Sequence, residues 1–427
     1  MPNRSLAEWL SILEVRHPSL IDLGLDRISE VWNQLSSQVN VTEKIAKPIT
    51  ITVAGTNGKG SCIAAMQSIL LGQGYSVGVF TSPHFLRYNE RICIAGVPVS
   101  DEIIVNAFAL IESVRQGVSL TYFEFNTLAA LVIFDQQELD VVLLEVGLGG
   151  RLDAINIIDP DVAVLTSIDL DHQDWLGDTR IKIAAEKLGI ARDKRPLIIG
   201  EQNPPAGFDE LVLKTGAIAL CLDRDFSILS NTLGTHFTAR TQFDGESLDI
   251  HGIEISGLLP QNKILAIQAL LSAGIRLKPQ AVADSLNSVL LTGRQQQAVF
   301  RGVNVLLDVA HNPAAASILR QHIPVIMGKT YAVASVLADK DWAGMIDQVA
   351  DRIDELLVAE ISDSPRASSA QSMLDIVYNK GIKACRCDSI EAAFLKAITQ
   401  ASADDQVVVF GSFHTVSSVL KVISEEV

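Results

Sequence analysis

Cysteine is scarce in this sequence. Five are present, at positions 62, 93, 221, 385 and 387, an odd number with no CxxC spacing. That excludes a paired disulfide framework and a cysteine-caged zinc site, and it points to a reducing compartment. Each cysteine reads first as a small buried hydrophobe. Long apolar runs are also missing, since no stretch approaches the ~18 residues of a membrane span. The start, MPNRSLAEWLSILEVRHPSL, has no basic segment followed by an apolar block, as a secretory signal would. Positive charge is in deficit, with 34 Lys and Arg against 50 Asp and Glu, a net charge of −16. Nonspecific binding to nucleic acid or to an anionic membrane is thereby disfavoured. Small anionic substrates are not excluded, because backbone dipoles and metal ions can outweigh the global field. No internal repeat or low-complexity tract stands out. These absences lead us to expect a soluble cytoplasmic protein.

What is present is a chain of 427 residues, 48% hydrophobic and 20% charged, an ordinary globular balance. The length suggests two or three domains. Continuous apolar runs at 49–54, 76–80, 140–146, 161–167 and 196–200 read as buried strands. Helical patterns lie at about 59–71, 101–115, 123–137 and 180–191. Together they predict an α/β fold with a mostly parallel sheet covered on both faces. From about 218 to 256 the pattern alternates around Asp244-Gly245, a hairpin signal, and predicts a small antiparallel addition. Helices are expected at 261–273 and 279–290. A second βα series, with runs at 303–309, 331–338, 355–361, 382–387 and 406–412, predicts a smaller Rossmann-like, doubly wound domain. The polar stretch 291–300 is the expected boundary, giving domains at 1–292 and 298–427.

The sharpest motif is Gly55-Thr56-Asn57-Gly58-Lys59-Gly60-Ser61, after a strand and before a helix. Small residues let backbone N–H groups close round a phosphate, and the helix N-terminus adds positive potential. Lys59 would reach the phosphates and Ser61 would offer a hydroxyl to Mg²⁺. It departs from the standard string, because position 53 is Val and Gly60 separates Lys59 from Ser61. Glu145 ends an apolar strand and precedes Gly147, Gly149 and Gly150; it suits Mg²⁺ near a phosphate loop, or a turn cap. Asp171, His172 and Asp174 cluster at another strand end and read as possible metal donors. Thr81-Ser82-Pro83-His84 and the loop 87–91 suit an anionic ligand or plain solvent. Spacing alone makes Lys187 a surface lysine. Asp308, His311 and Asn312 follow a strand, and Asn312 also suits a helix cap ahead of Pro313. Gly411 to Thr415 repeat that geometry.

In order along the chain, these motifs resemble the family of bacterial dihydrofolate synthases/folylpolyglutamate synthases, in the Mur-ligase superfamily of ATP-dependent amide-bond ligases. The resemblance spans IDLGLDR (21–27), AGTNGKGS (54–61), SPH (82–84), NER (89–91), TYFEFNTLAAL (121–131) and LEVGLGGRLDA (144–154). It continues through DHQDWLG (171–177), EKLGI (186–190), GR (293–294), DVAHNP (308–313) and GSFHT (411–415). It implies a P-loop, Mur-ligase-like ATP-binding domain followed by the Rossmann-like one. It also implies addition of L-glutamate to dihydropteroate and to reduced folates through an acyl phosphate. ATP would be held by Gly55, Thr56, Asn57, Gly58, Lys59, Gly60, Ser61, Asn262, Arg294, Asp308 and His311. Mg²⁺, at two sites, would be held by Ser61, Ser82, Glu145 and His172, with a monovalent cation such as K⁺ a further candidate. The implied catalytic residues are Lys59, Glu145, His172 and Lys187, the last as a carbamate. Substrate would lie near Asp22, Leu23, Gly24, Leu25, Ser82, Thr121, Tyr122, Phe123, Glu124, Leu152, Asp153 and Ala154. A monomer with no nucleic-acid or membrane partner is expected. The family often reads REKAGI where this chain has Ala185 to Ile190, and Gln261 precedes Asn262 where Pro or His is usual. The alternatives are a Mur-type ligase on another carboxylate and a P-loop ATPase that is not a ligase; glutamate-dependent turnover separates them.

Overall fold

The computed structural model describes residues 4–19, 21–38, 47–243, 245–362 and 364–426. The chain divides into two compact units, Met1–Val289 and Leu290–Val427. In the first, α1 (Leu6–Arg16) and α2 (Asp26–Gln38) precede β1 (Ile49–Ala54). Then come α3 (Lys59–Gly72), β2 (Val77–Phe80), β3 (Ile92–Ile94), β4 (Val97–Pro98), α4 (Asp101–Val114) and α5 (Tyr122–Asp135). They are followed by β5 (Val141–Glu145), β6 (Val162–Leu165), α6 (Gln173–Leu176), α7 (Arg180–Leu188), β7 (Pro196–Ile199), α8 (Phe208–Thr215) and β8 (Ile218–Cys221). The unit closes with β9 (Ser227–Ser230), β10 (His236–Phe243), β11 (Glu246–Glu254), α9 (Pro260–Ser272) and α10 (Pro279–Ser288).

The main sheet has eight strands in the order β4-β3-β2-β5-β1-β6-β7-β8. The six from β2 to β8 run parallel, and only the β3–β4 edge is antiparallel. This is the architecture expected of apolar runs separated by helices. One face is covered by Trp9, Phe108, Phe125, Leu128 and their neighbours, and the other by Leu165, Ile183, Leu188 and Phe208 among others. The antiparallel addition is narrower than expected, because Ile218–Cys221 pair in parallel with β7 as the eighth strand. Only β9, β10 and β11 form the separate sheet. The expected hairpin pairs Phe243 with Glu246; Asp244 lies outside the described residues.

The second unit contains β12 (Gln296–Phe300), β13 (Val303–Leu307), α11 (Pro313–His322), β14 (Thr330–Ala334), α12 (Trp342–Val349) and β15 (Glu355–Val358). α13 (Ala370–Asn379), β16 (Lys383–Arg386), α14 (Ile390–Gln400), β17 (Gln406–Phe410) and α15 (Phe413–Glu425) complete it. Its sheet runs β12-β13-β17-β14-β15-β16, parallel except at β12. Residues 296–300, in the stretch expected as irregular chain, form that antiparallel strand. Gln297 and Val299 are exposed there, so an edge strand with one wet face shows little apolar signal. Among the described residues no helix is long and apolar enough to cross a membrane.

Candidate active site

β1 and β5 are neighbours in the sheet, with Val53 opposite Glu145, so the turn after β1 and the tip of β5 emerge side by side. The turn is held from the β6 side. Thr56 N donates to Ser167 O at 2.9 Å, Asn57 N to Ser167 Oγ at 3.0 Å, and Thr166 Oγ1 to Asn57 O at 2.6 Å. Gly58 caps α3 in the left-handed region, φ +91°, and a methyl group there would come 2.5 Å from Asn262 Oδ1. Asn262, on the first turn of α9, therefore lies against the loop. Lys59 Nζ folds over the turn and donates to Gly55 O (2.9 Å) and Thr56 O (3.4 Å).

Glu145 is buried, and its carboxylate accepts from Ser82 N at 3.1 Å. Both carboxylate oxygens lie 3.7–3.8 Å from where a methyl on Gly60 would sit. The loop, the acidic strand tip and the Ser82 turn thus share one crevice. Its Ser61 and Glu145 oxygens are hard donors of the kind Mg²⁺ takes, so the residues present fit a nucleotide-bound divalent ion. His172 starts α6 at φ +50°, with its ring nitrogen 4.0 Å from Asp171 Oδ2. Asp171, His172 and Asp174 do not make a metal cage. Among the described residues no three His, Cys, Asp or Glu side chains are placed to hold a metal by themselves. Asp171 is turned inward while Asp174 faces solvent.

Lys187 is buried, which corrects the surface reading. The glycines after Glu145 bring this about. A methyl on Gly150 would meet the carbonyls of Glu186 and Lys187 at 2.8 and 2.9 Å, and Arg151 N donates to Glu186 O at 2.8 Å. The loop thus packs on the end of α7 and shuts solvent from the lysine. Burial, reinforced by the charge of Lys59, lowers the amine to about 7, against the opposing pull of Asp171 and Asp153. Asp153 is also buried, and desolvation raises it to about 6 although Leu148 N and Ile155 N donate to it.

The segments suggested for substrate also meet. Gly24 N donates to Leu152 O at 3.3 Å, and Arg27 spans Asp22 (2.8 Å) and Glu124 (3.2 Å). Thr121 and Glu124 form a reciprocal cap on α5: Glu124 Oε2 accepts from Thr121 N at 2.7 Å and Thr121 Oγ1 accepts from Glu124 N at 3.2 Å. Phe123 stacks over Gly147, where a methyl would strike its ring at 2.5 Å. Arg27 was overlooked in the sequence, although its place in IDLGLDR was a signal. Arg91 is buried between the rings of Tyr88 and Tyr122 and donates to His84 Nδ1 at 2.9 Å, so it is no solvated loop cation.

In the second unit Asp308 is buried at the end of β13 and accepts from Gln295 N (2.9 Å) and Ala310 N (2.8 Å). Burial raises its carboxyl above the usual range, against the pull of Arg294, whose guanidinium lies 5.3 Å from the centre of the Phe413 ring. His311 Nδ1 is 2.9 Å from Val309 O, and Asn312 caps α11. Asp308, Arg294 and Phe413 are therefore brought together, while Asn312 has a structural task.

A phosphate loop on a parallel sheet, an acidic strand tip beside it and a separate Rossmann-like unit define an ATP-dependent ligase of the Mur type. The comparisons agree. Residues 293–413 match the family model "Mur ligase, glutamate ligase domain". The dihydrofolate synthase/folylpolyglutamate synthase of Escherichia coli K12 is 41% identical over 98% of this chain and 95% of its own length. That of Haemophilus influenzae is 38% identical over 96% of each. The structure of E. coli FolC with DHPP and ADP superposes with a TM-score of 0.90 at 39% identity, covering 99% of this chain and 98% of the other. A bifunctional folylpolyglutamate synthase/dihydrofolate synthase with Mn, AMPPNP and L-glutamate bound gives 0.88 at 38% identity, with the same coverage. The chain belongs to the dihydrofolate synthase/folylpolyglutamate synthase family and is an ATP-dependent carboxylate–amine ligase that uses a divalent metal.

Proposed function

We propose that this ligase joins the amine of L-glutamate to the carboxylate of dihydropteroate, and adds further glutamates to reduced folates. The observation that carries the reading is the shared crevice of the Gly55–Ser61 turn, Glu145 and Ser82. A carboxylate resists amines because its oxygen is a poor leaving group. Transfer of the γ-phosphoryl group of ATP converts it to an acyl phosphate, and the glutamate amine then displaces phosphate. The first step brings two anions together. At 4 Å unit charges repel by about 1 kcal/mol in water and about 4 kcal/mol at an effective dielectric of 20. Lys59 and the loop amides offset that repulsion and hold the phosphates in line.

Ser61, Ser82, Glu145 and His172 would hold Mg²⁺ at two sites, and bound Mg²⁺ would neutralise phosphate charge. Gly55 to Ser61 and Asn262 would bind ATP in the first unit, and Arg294, Asp308 and His311 in the second. Lys187, whose amine burial lowers to about 7, is suited to take up CO₂ as a carbamate, releasing a proton. Asp22 to Leu25, Thr121 to Glu124 and Leu152 to Ala154 would face the pterin. The expected organisation is an ATP-binding domain, 1–292, and a C-terminal Rossmann-like ligase domain, 298–427, working as a monomer in the cytoplasm.

Purified protein given ATP, Mg²⁺, L-glutamate and dihydropteroate should release ADP and phosphate only when both acceptor substrates are present. Release of AMP and pyrophosphate would overturn the acyl-phosphate route, and hydrolysis independent of glutamate would overturn the ligase assignment.

A further inference from the structure

The outer edge of the second unit's sheet carries a thiol pair. β16 is the last strand of its sheet. Cys385 lies within it, and Cys387 follows it, still paired to β15 through Cys387 N to Val358 O at 2.9 Å. Extended backbone puts residues two apart on the same face, so the sulfurs of Cys385 and Cys387 are neighbours. Lys396, on α14, places its ammonium 3.3 Å from Cys385 Sγ. An ammonium beside a sulfur offsets the negative charge that the sulfur carries as it attacks or leaves. Cys387 is held as the thiol, because burial and the neighbouring sulfur push it up to about 11. Both residues are partly exposed. Cys62, by contrast, is fully buried and its thiol is pushed far up.

We propose that Cys385 and Cys387 form a reversible dithiol–disulfide site, oxidised by a small disulfide such as oxidised glutathione, with Cys385 attacking and Cys387 resolving. The Cys385 thiolate attacks one glutathione sulfur and expels the other as a thiolate, leaving a mixed disulfide. Cys387, losing its proton to the expelled thiolate, then attacks the Cys385 sulfur and releases the second glutathione as a thiolate, which takes a proton from water. Two protein thiols are oxidised and one glutathione disulfide is reduced. Residues two apart on a strand are about 6.6 Å apart at Cα, near the upper end of disulfide reach. The product is therefore strained and easily reduced, as suits a transient bond in a reducing compartment.

The test is a titration of the full-length protein with mixtures of reduced and oxidised glutathione, followed by differential alkylation and peptide mass spectrometry. The wild type should yield a 385–387 intramolecular disulfide that reverts on adding reduced glutathione. C387S should instead accumulate glutathione on Cys385, and C385S should take up none at 387. K396M, which removes the ammonium 3.3 Å from Cys385 Sγ, should slow alkylation of Cys385 several-fold. Cys385 reacting no faster than Cys93 or Cys221, or the wild type stopping at the mixed disulfide, would overturn the proposal. The wild-type arms need no variant to fold.

Discussion

Gly58 carries two constraints on one Cα. Its left-handed backbone strains any other residue by about 1 kcal/mol or more, and a methyl would sit 2.5 Å from Asn262 Oδ1. G58A should raise the KM for ATP at least tenfold while lowering Tm by only a few degrees, as measured by coupled ADP assay and calorimetry. Lys187 gives a pH prediction. Its folded value, about 7, lies below the ordinary lysine value. The neutral amine is thus favoured by folding, and protonation favours unfolding. The stability penalty of Lys187 is present below pH 7 and disappears as pH rises towards the unfolded value. Carbamate formation needs the neutral amine, so activity should fall as pH drops below about 7 and be partly restored by added bicarbonate. K187A should lose about 10- to 100-fold in turnover, as other changes supporting a metal site do, with partial rescue by a short carboxylate. Full activity of K187A would remove the carbamate. None of this was legible from spacing. An isolated lysine in a polar helix looks the same in sequence whether it is wet or covered by a distant loop. Only the resemblance to the family singled it out.

At the scale of elements, the sequence was most readable where the period was unbroken. Strands with apolar residues on both faces, such as β1, β5 and β17, stood out because burial on two sides removes polar alternation. Elements with a wet face did not, and β12 passed for a linker. α1 was missed although Ser5 and Glu8 form a reciprocal cap, which is a readable N-terminal signature. The connection of α9 to the small sheet gave no signal either. Lys263 is fully buried, and its ammonium donates to Glu254 O (2.8 Å) and Ser256 O (2.9 Å) at the end of β11. Burial lowers it to about 8. K263A would leave two carbonyls short of a donor and open a cavity, costing about 2–4 kcal/mol. Urea unfolding followed by circular dichroism should show the loss as a lower midpoint. A midpoint within experimental scatter of wild type would show that the staple contributes nothing.

At the scale of the whole molecule, each unit has a core of its own. In the second, Leu306, Ala332, Val358, Val408 and Phe410 pack with Trp342, Met345 and Met373. Residues 290–427 expressed alone should therefore unfold in one cooperative transition, yet release no ADP from ATP and glutamate, since the phosphate loop lies in the other unit. A molten, dye-binding fragment would contradict the independence of the core.

The Thr121–Glu124 cap has a consequence that reaches beyond helix α5. The same carboxylate that ties down the first turn also meets Arg27, which grips Asp22. A small molecule bound against these groups would tug on the start of the helix, and fraying there would loosen the molecule. Amide exchange at 122–126 should slow when pterin is added, making the backbone itself a gauge of occupancy.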